Sequence, residues 1–264
     1  MIAENDGISL MSRCAPKNAL NDFDVLGSPL KYEGPLDNPC AACEVREMSI
    51  CGVLDKDEIE EFVKILTRQT CTAHDPIIDE GEPADFVFNV TGGAVKLFKL
   101  LPDGRRQITG FLFEGDFLGI AMNDTYSYSA EAVGDAHMCR FNRRKFEALL
   151  DRFPKLERRL LGMASNELAQ AQDQMLLLGR KTAREKLCTF LLSLSRRSEK
   201  RGYDPSVISV PMSRNDIGDY LGLTTETVSR TFTNLKKDGV IRLLEGNRVK
   251  INDAEQLQDL AEGA

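Results

Sequence analysis

Between Asp75 and Phe141 the sequence is cut into short β-rich runs, Phe86 to Val90, Ala94 to Leu100, Gln107 to Phe113 and Ala136 to Phe141. They are separated by Gly92-Gly93, Pro102-Asp103-Gly104 and Glu114-Gly115-Asp116. Many short strands at close, turn-punctuated spacing predict a small antiparallel sandwich or barrel. On either side the period is helical. Ile59, Phe62, Val63 and Leu66 recur at helical spacing from Asp55, and helical pattern returns at Arg143, with Pro154 suited to the first turn of a longer helix. Along that helix Leu161, Ala164, Leu168, Ala171, Met175 and Leu178 follow a 3,4,3,4,3 spacing. This heptad seam predicts a homodimer, the alternative being a helix packed on its own β-domain.

The C-terminal third differs in charge from the rest. Residues 180–250 hold 15 Lys or Arg against 8 Asp or Glu, whereas residues 1–179 hold 19 against 29, within a chain of 264 residues and net charge -7. A basic third on an acidic body suggests a polyanionic partner for that third alone. Ser213-Arg-Asn-Asp216 fits a capping box opening a short helix with Ile217 and Leu221 inward, and Gly222 ends it. Thr224 can cap a second helix, Thr225 to Lys237, which turns Val228, Phe232 and Leu235 inward and Glu226, Ser229 and Arg230 outward. Two helices joined by a tight Gly turn predict a helix-turn-helix. Val240 to Leu244 and Arg248 to Ile251 add a hairpin wing. In a recognition helix Arg230 offers a fork to guanine and Glu226 accepts from cytosine; the bland alternative is an i,i+4 surface ion pair.

Seven cysteines are an odd number for a disulfide framework, and Cys40, Cys43 and Cys51 form a C-x2-C-x7-C run. Such a run can clip one metal centre. Zinc needs a fourth nearby ligand, and neither His74 nor His137 lies close in sequence; a redox pair made by Cys40 and Cys43, as in a thiol oxidoreductase, is the alternative of another class. No catalytic base or substrate cleft can be named, so the chain is not expected to be an enzyme. No apolar run reaches the roughly 20 residues of a membrane span, and the first 17 residues have no hydrophobic segment, so a cytoplasmic location is expected.

Barrel, long helix and winged helix in this order resemble the CRP/FNR transcription regulators, over roughly residues 50–252. The stretch Leu223-Thr-Thr-Glu-Thr-Val-Ser-Arg230 resembles the recognition helix of the FNR and FixK members. The resemblance implies an α+β fold with a jelly-roll barrel like that of cyclic-nucleotide-binding domains, and a dimer partnered by double-stranded DNA and RNA polymerase. It implies a TTGAT-N4-ATCAA-type palindrome, with Glu226 and Arg230 reading the C·G pair, Ser229 a neighbouring T, and Thr225 standing where nucleotide-responsive members usually have Arg. Those members bind cyclic phosphate with Gly-Glu and Arg-Ser in one segment; the matching stretch, Gly115 to Ser129, contains no Arg or Lys, so no cyclic nucleotide is expected. The cysteine run resembles the cluster-binding N-terminus of the FNR branch, which implies a [4Fe-4S] cluster with Cys139 as fourth ligand. Cys71 and Cys188 match no ligand and read as buried apolar residues; Cys14 is left open. FixK-like relatives lack the cysteines, so a cluster-free or nitric-oxide-responsive regulator is the alternative. Some relatives carry an acidic residue in the seam, where this chain has Ala171. The division expected is a flexible cysteine-bearing arm (1–54), a sensor barrel (55–150), a dimerisation helix (151–182) and a winged helix-turn-helix (183–264).

Overall fold

The computed structural model describes residues 39–120 and 124–263. The extended arm expected before residue 39 lies outside the described residues. The chain divides into two compact units, one holding 39–98 and 111–162, the other 99–110 and 163–263.

In the first unit residues 39–49 form successive turns that lead into a short 3-10 turn, Ile50–Val53, and helix α1, Lys56–Val63. Asp55 caps α1 through a reciprocal capping box with Glu58, satisfying two of the orphan donors of its first turn. The helix stops sooner than its periodicity predicts. Leu66 is instead the first residue of strand β1, Leu66–Cys71, because the run Thr67-Arg-Gln-Thr70 that follows has no inward helical face to continue. The remaining strands are β2 (Pro76–Ile78), β3 (Phe86–Gly92), β4 (Ala94–Leu100), β5 (Arg106–Phe113), β6 (Phe117–Leu118), β7 (Ser129–Ala132) and β8 (Ala136–Asn142).

They pair into two four-stranded antiparallel sheets, β1-β8-β3-β6 and β2-β7-β4-β5, the jelly-roll arrangement expected. Between them lies a core that includes Val90, Val95, Leu97, Leu118, Ala130 and Met138. Successive strand residues face opposite ways, so Met138 points into that core while Cys139 and Phe141 point out of it. Phe141 meets Phe62 of α1 with ring centroids 4.5 Å apart, and Phe146 of helix α2, Arg143–Arg152, packs on both. The outer face of the first sheet is thus covered by α1 and α2.

Helix α3, Pro154–Arg180, begins at the predicted proline. The second unit continues with α4 (Ala183–Lys200), β9 (Val207–Ser209), α5 (Arg214–Leu221), α6 (Thr225–Lys237), β10 (Ile241–Leu244), β11 (Arg248–Ile251) and α7 (Ala254–Glu262). The wing is a three-stranded sheet in the order β10-β11-β9, so it holds one strand more than the hairpin read from the sequence. Among the described residues no helix is long and apolar enough to cross a membrane.

Candidate functional site

The sheet β1-β8-β3 sets the floor of the first site. Cys139 on β8 is directly paired with Arg68 of β1 on one side and Asn89 of β3 on the other. Directly opposed residues of antiparallel strands share a face, so the three side chains form a row. Asn89 donates from Nδ2 to Ser49 Oγ at 3.0 Å, which ties that row to the segment between Cys43 and Cys51.

That segment is coiled tightly. Ser49 Oγ donates to Val45 O at 2.8 Å, Arg46 Nη2 to Leu54 O at 2.8 Å, and Gly52 N to Ser49 O at 3.1 Å. A Cβ on Gly52 would lie 2.6 Å from Arg46 O and 2.8 Å from Glu47 O, so only glycine fits this approach of backbone to backbone. Ser49, Ile50 and Leu54 are buried, as are Cys40 and Cys51. The flexible arm expected through residue 54 is therefore folded from residue 39 on, because Ile50 and Leu54 reach buried positions that the irregular sequence pattern did not disclose.

Cys40, Cys43 and Cys51 converge with Cys139. Cys43 raises the proton affinity of Cys40, Cys40 and Cys43 raise that of Cys51, and all three N-terminal thiols raise that of Cys139. Burial is the larger cause: it pushes Cys40 up to about 11 and Cys51 up to about 12, and Cys43 and Cys139 upward too. Arg46 and Arg68 act in the opposite direction, Arg68 on Cys40, Cys43 and Cys139, and Arg46 on the three N-terminal thiols. A redox C-x2-C pair works through a depressed thiol pKa; these thiols are shifted the other way.

Four converging thiols with two nearby cations fit a thiolate-held centre, whose metal must displace the protons that burial retains. Among the described residues no three His, Cys, Asp or Glu side chains are grouped to hold a single metal ion. A tetrahedral zinc at about 2.3 Å from each sulfur would need the sulfurs about 3.8 Å apart. Cys188 is a free, buried thiol in α4, as expected, whereas Cys71, buried at the end of β1, is disulfide-bonded and so is not the simple apolar thiol expected from the sequence.

The second site is the exposed face of α6. Ser213 and Asp216 form the capping box of α5, and Gly222 takes the left-handed conformation that ends it (φ 63°). A Cβ on Gly218 would meet Leu223 O at 2.6 Å, so the glycine lets the turn fold back against α5. Thr224 caps α6 by accepting from Thr227 N at 3.2 Å. Val228, Phe232 and Leu235 are buried; Thr225, Glu226, Ser229 and Arg230 are exposed. Arg230 Nη2 lies 2.5 Å from Glu226 Oε1, so the two bases-reading candidates are paired with each other, and Thr225 Oγ1 donates to Asn215 Oδ1 at 3.1 Å. Sequence reasoning missed Arg106, which reaches Asp216 at 3.0 Å and Asp219 at 3.1 Å within this unit. No motif marks it, because its partners lie more than a hundred residues away.

Of the heptad positions on α3, Leu161, Leu168 and Met175 are 72, 61 and 70% exposed, and Ala164 and Ala171 are exposed beside them. Leu178 departs from this stripe. It is half-buried and lies near Gly222, while Leu177 takes the buried position.

Residues 68–153 match the cyclic nucleotide-binding domain family and residues 185–260 the Crp-like helix-turn-helix domain family. The chain is 40% identical to the nitrogen fixation regulation protein FixK of Bradyrhizobium diazoefficiens, over 84% of this chain and 93% of that one. It is 37% identical to the transcriptional activator FnrL of Cereibacter sphaeroides, over 84% and 91%. The structure of FixK2 from Bradyrhizobium japonicum superposes with a TM-score of 0.69 at 38% identity, covering 74% of this chain and 97% of that one. With a jelly roll, a capped helix-turn-helix and relatives of this identity along most of its length, the chain belongs to the CRP/FNR family of DNA-binding transcription regulators.

Proposed function

We propose that this regulator responds to oxygen through a [4Fe-4S] cluster held by Cys40, Cys43, Cys51 and Cys139, and that it binds a TTGAT-N4-ATCAA-type palindrome as a cytoplasmic homodimer that contacts RNA polymerase. The observation that carries the reading is the convergence of four thiols from two distant parts of the chain, next to Arg46 and Arg68. When bound, such a cluster supplies oxygen-labile iron-sulfide bonds. The chain's own residues do the rest. The four thiolates fix the 40–51 segment to β8, the two guanidinium groups offset thiolate charge, and the Ser49 to Asn89 hydrogen bond holds the segment in register with the sheet.

The barrel is not read as a nucleotide sensor, since Gly115 to Ser129 offers no cation to a cyclic phosphate. On α6, Arg230 and Glu226 are assigned to base reading and Ser229 and Thr225 to the adjoining positions. The exposed stripe from Leu161 to Met175 is assigned to the partner subunit, which would set two recognition helices one DNA turn apart.

Protein purified without air tests the cluster. The expected result is brown material containing iron and acid-labile sulfide, bleached by air with loss of DNA affinity. The similarity to FixK favours a second reading, a cluster-free regulator, whose signature is a colourless protein that binds the palindrome in air. Zinc in place of iron would sink the first reading as well.

A further inference from the structure

Of three basic side chains along the end of α2 and the start of α3, two reach α1 and its cap and one reaches the segment that carries the cysteines. Arg152 Nη1 lies 3.4 Å from Glu61 Oε2, and Lys155 Nζ lies 3.3 Å from Asp55 Oδ2 and also pairs with Glu58. These pairs are solvent-exposed and contribute little. Arg159 is different. Its Nη2 donates to Met48 O at 2.8 Å and to Glu47 O at 3.3 Å, and its Nε is buried without a hydrogen-bond partner among the described residues.

Its acceptors are main-chain carbonyls lying between Cys43 and Cys51, so the guanidinium responds to the path of the backbone and not to a side chain. That path holds only while the loop is coiled. Met48 N donates to Val45 O at 3.2 Å and Ser49 N to Arg46 O at 3.1 Å, and Gly115 at the β5-β6 turn approaches Met48 so closely that a Cβ there would sit 2.9 Å from Met48 Cβ. If the loop opens, Glu47 O and Met48 O leave, and Arg159 loses both acceptors.

On the same helix Leu161 follows two residues later, about 200° around the axis. Leu156 is fully buried and Arg159 half-buried on one side, while Leu161 is 72% exposed on the other. One rigid turn of α3 therefore carries the loop contact and the first residue of the exposed stripe.

We propose that Arg159 is a positioning residue that couples closure of the cysteine loop to the placement of α3, so that the stripe beginning at Leu161 is presented for dimerisation only when the loop is closed. This rests on the cluster reading given above. It adds the residue through which the state of the loop reaches the helix, by a hydrogen bond to the backbone and not through an acidic group in the seam.

The test compares wild type, Arg159→Gln and Arg159→Lys, each purified without air. Iron and acid-labile sulfide per chain, sedimentation, and binding to a duplex carrying the palindrome are measured before and after exposure to air. Arg159→Gln is expected to hold iron and sulfide at the wild-type level yet to dimerise and bind DNA about tenfold more weakly without air, close to its own air-exposed value. Arg159→Lys, which keeps one charged donor, should recover part of the difference. Arg159→Gln with a wild-type cluster and wild-type anaerobic DNA affinity overturns the proposal. So does a variant that has lost iron and sulfide, because Arg159 then serves only to fold the loop. If Arg159→Gln does not fold, an Arg159→Lys protein with the wild-type oxygen response and undiminished affinity overturns it too. Wild-type protein without iron overturns the cluster reading itself and this proposal with it.

Discussion

Cys139 shows what a single position on a strand can do. Its neighbours in sequence, Met138 and Arg140, face away from it, and its neighbours in space are Arg68, Asn89 and the thiols of a segment 88 to 99 residues earlier. Cys139→Ser should therefore abolish iron and sulfide retention as fully as Cys40→Ser, Cys43→Ser or Cys51→Ser. Cys188→Ser, in the core of α4, should retain both. Metal analysis of anaerobic protein decides the matter, and a normal cluster in Cys139→Ser would reassign the fourth ligand. Nothing in the spacing of the first three cysteines points to the fourth; it follows only from the resemblance, and its pairing with Arg68 could not be read at all. On α6 the pairing of Arg230 with Glu226 means that, in the proposed reading role, each would leave a partner on meeting DNA. Both are exposed, so that separation is cheap. Arg230→Ala should cost about 1 to 3 kcal/mol on the palindrome and little on random duplex. Equal binding of the palindrome by the variant and the wild type, measured by fluorescence anisotropy, would remove Arg230 from the reading face. We assign Lys236, exposed in the last turn of α6, to a phosphate contact, so neutralising it should instead weaken both duplexes and flatten the salt dependence by about one counterion.

Elements whose signal is local were legible, and those that depend on distant contacts were not. The α5 capping box, the Thr224 cap and the inward Val228, Phe232 and Leu235 stand where the sequence put them, because caps and helical period act within one or two turns. Strand β4 likewise matches its predicted limits, bounded by Gly93 and Pro102. The short strands β2, β6, β7 and β9 escaped detection; two to four residues are too few to show alternation, and their sheet neighbours alone define them. The coil between Cys43 and Cys51 has no period, so its order rests on Gly52, Ser49 and Arg46 acting together. Gly52→Ala tests that order. The added Cβ would meet two carbonyl oxygens, which cannot yield as the end of a flexible side chain does. Loss of the coil should lower iron retention sharply, while thermal unfolding of the second unit stays unchanged. The corresponding change in the other unit, Gly218→Ala, meets Leu223 O and should destabilise the helix-turn-helix by about 1 to 3 kcal/mol, read from denaturant unfolding.

At the scale of the whole molecule the exposed stripe on α3 is an energetic statement about assembly. Leu161, Leu168 and Met175 lie open to solvent on one face, which is costly unless a second surface covers it. Ala164 and Ala171 would permit close approach but bury little area, so a seam formed along this stripe would be weak enough for a modest change at one end to tune it. Ala171 is the position at which the two behaviours can be separated. Ala171→Asp would bring two carboxylates together across a two-fold axis, where burial and like charge both oppose association. The dimer should weaken and the palindrome should be lost. Ala171→Leu adds apolar area to a seam that lacks it and should strengthen the dimer, allowing DNA binding to persist in air if dimerisation is the controlled step. Analytical ultracentrifugation of both variants, with and without air, gives the readout. A dimer that gains stability in Ala171→Leu while its DNA binding still vanishes in air would place control in the orientation of the recognition helices within a standing dimer. Association unchanged in both variants would remove the stripe from the interface altogether.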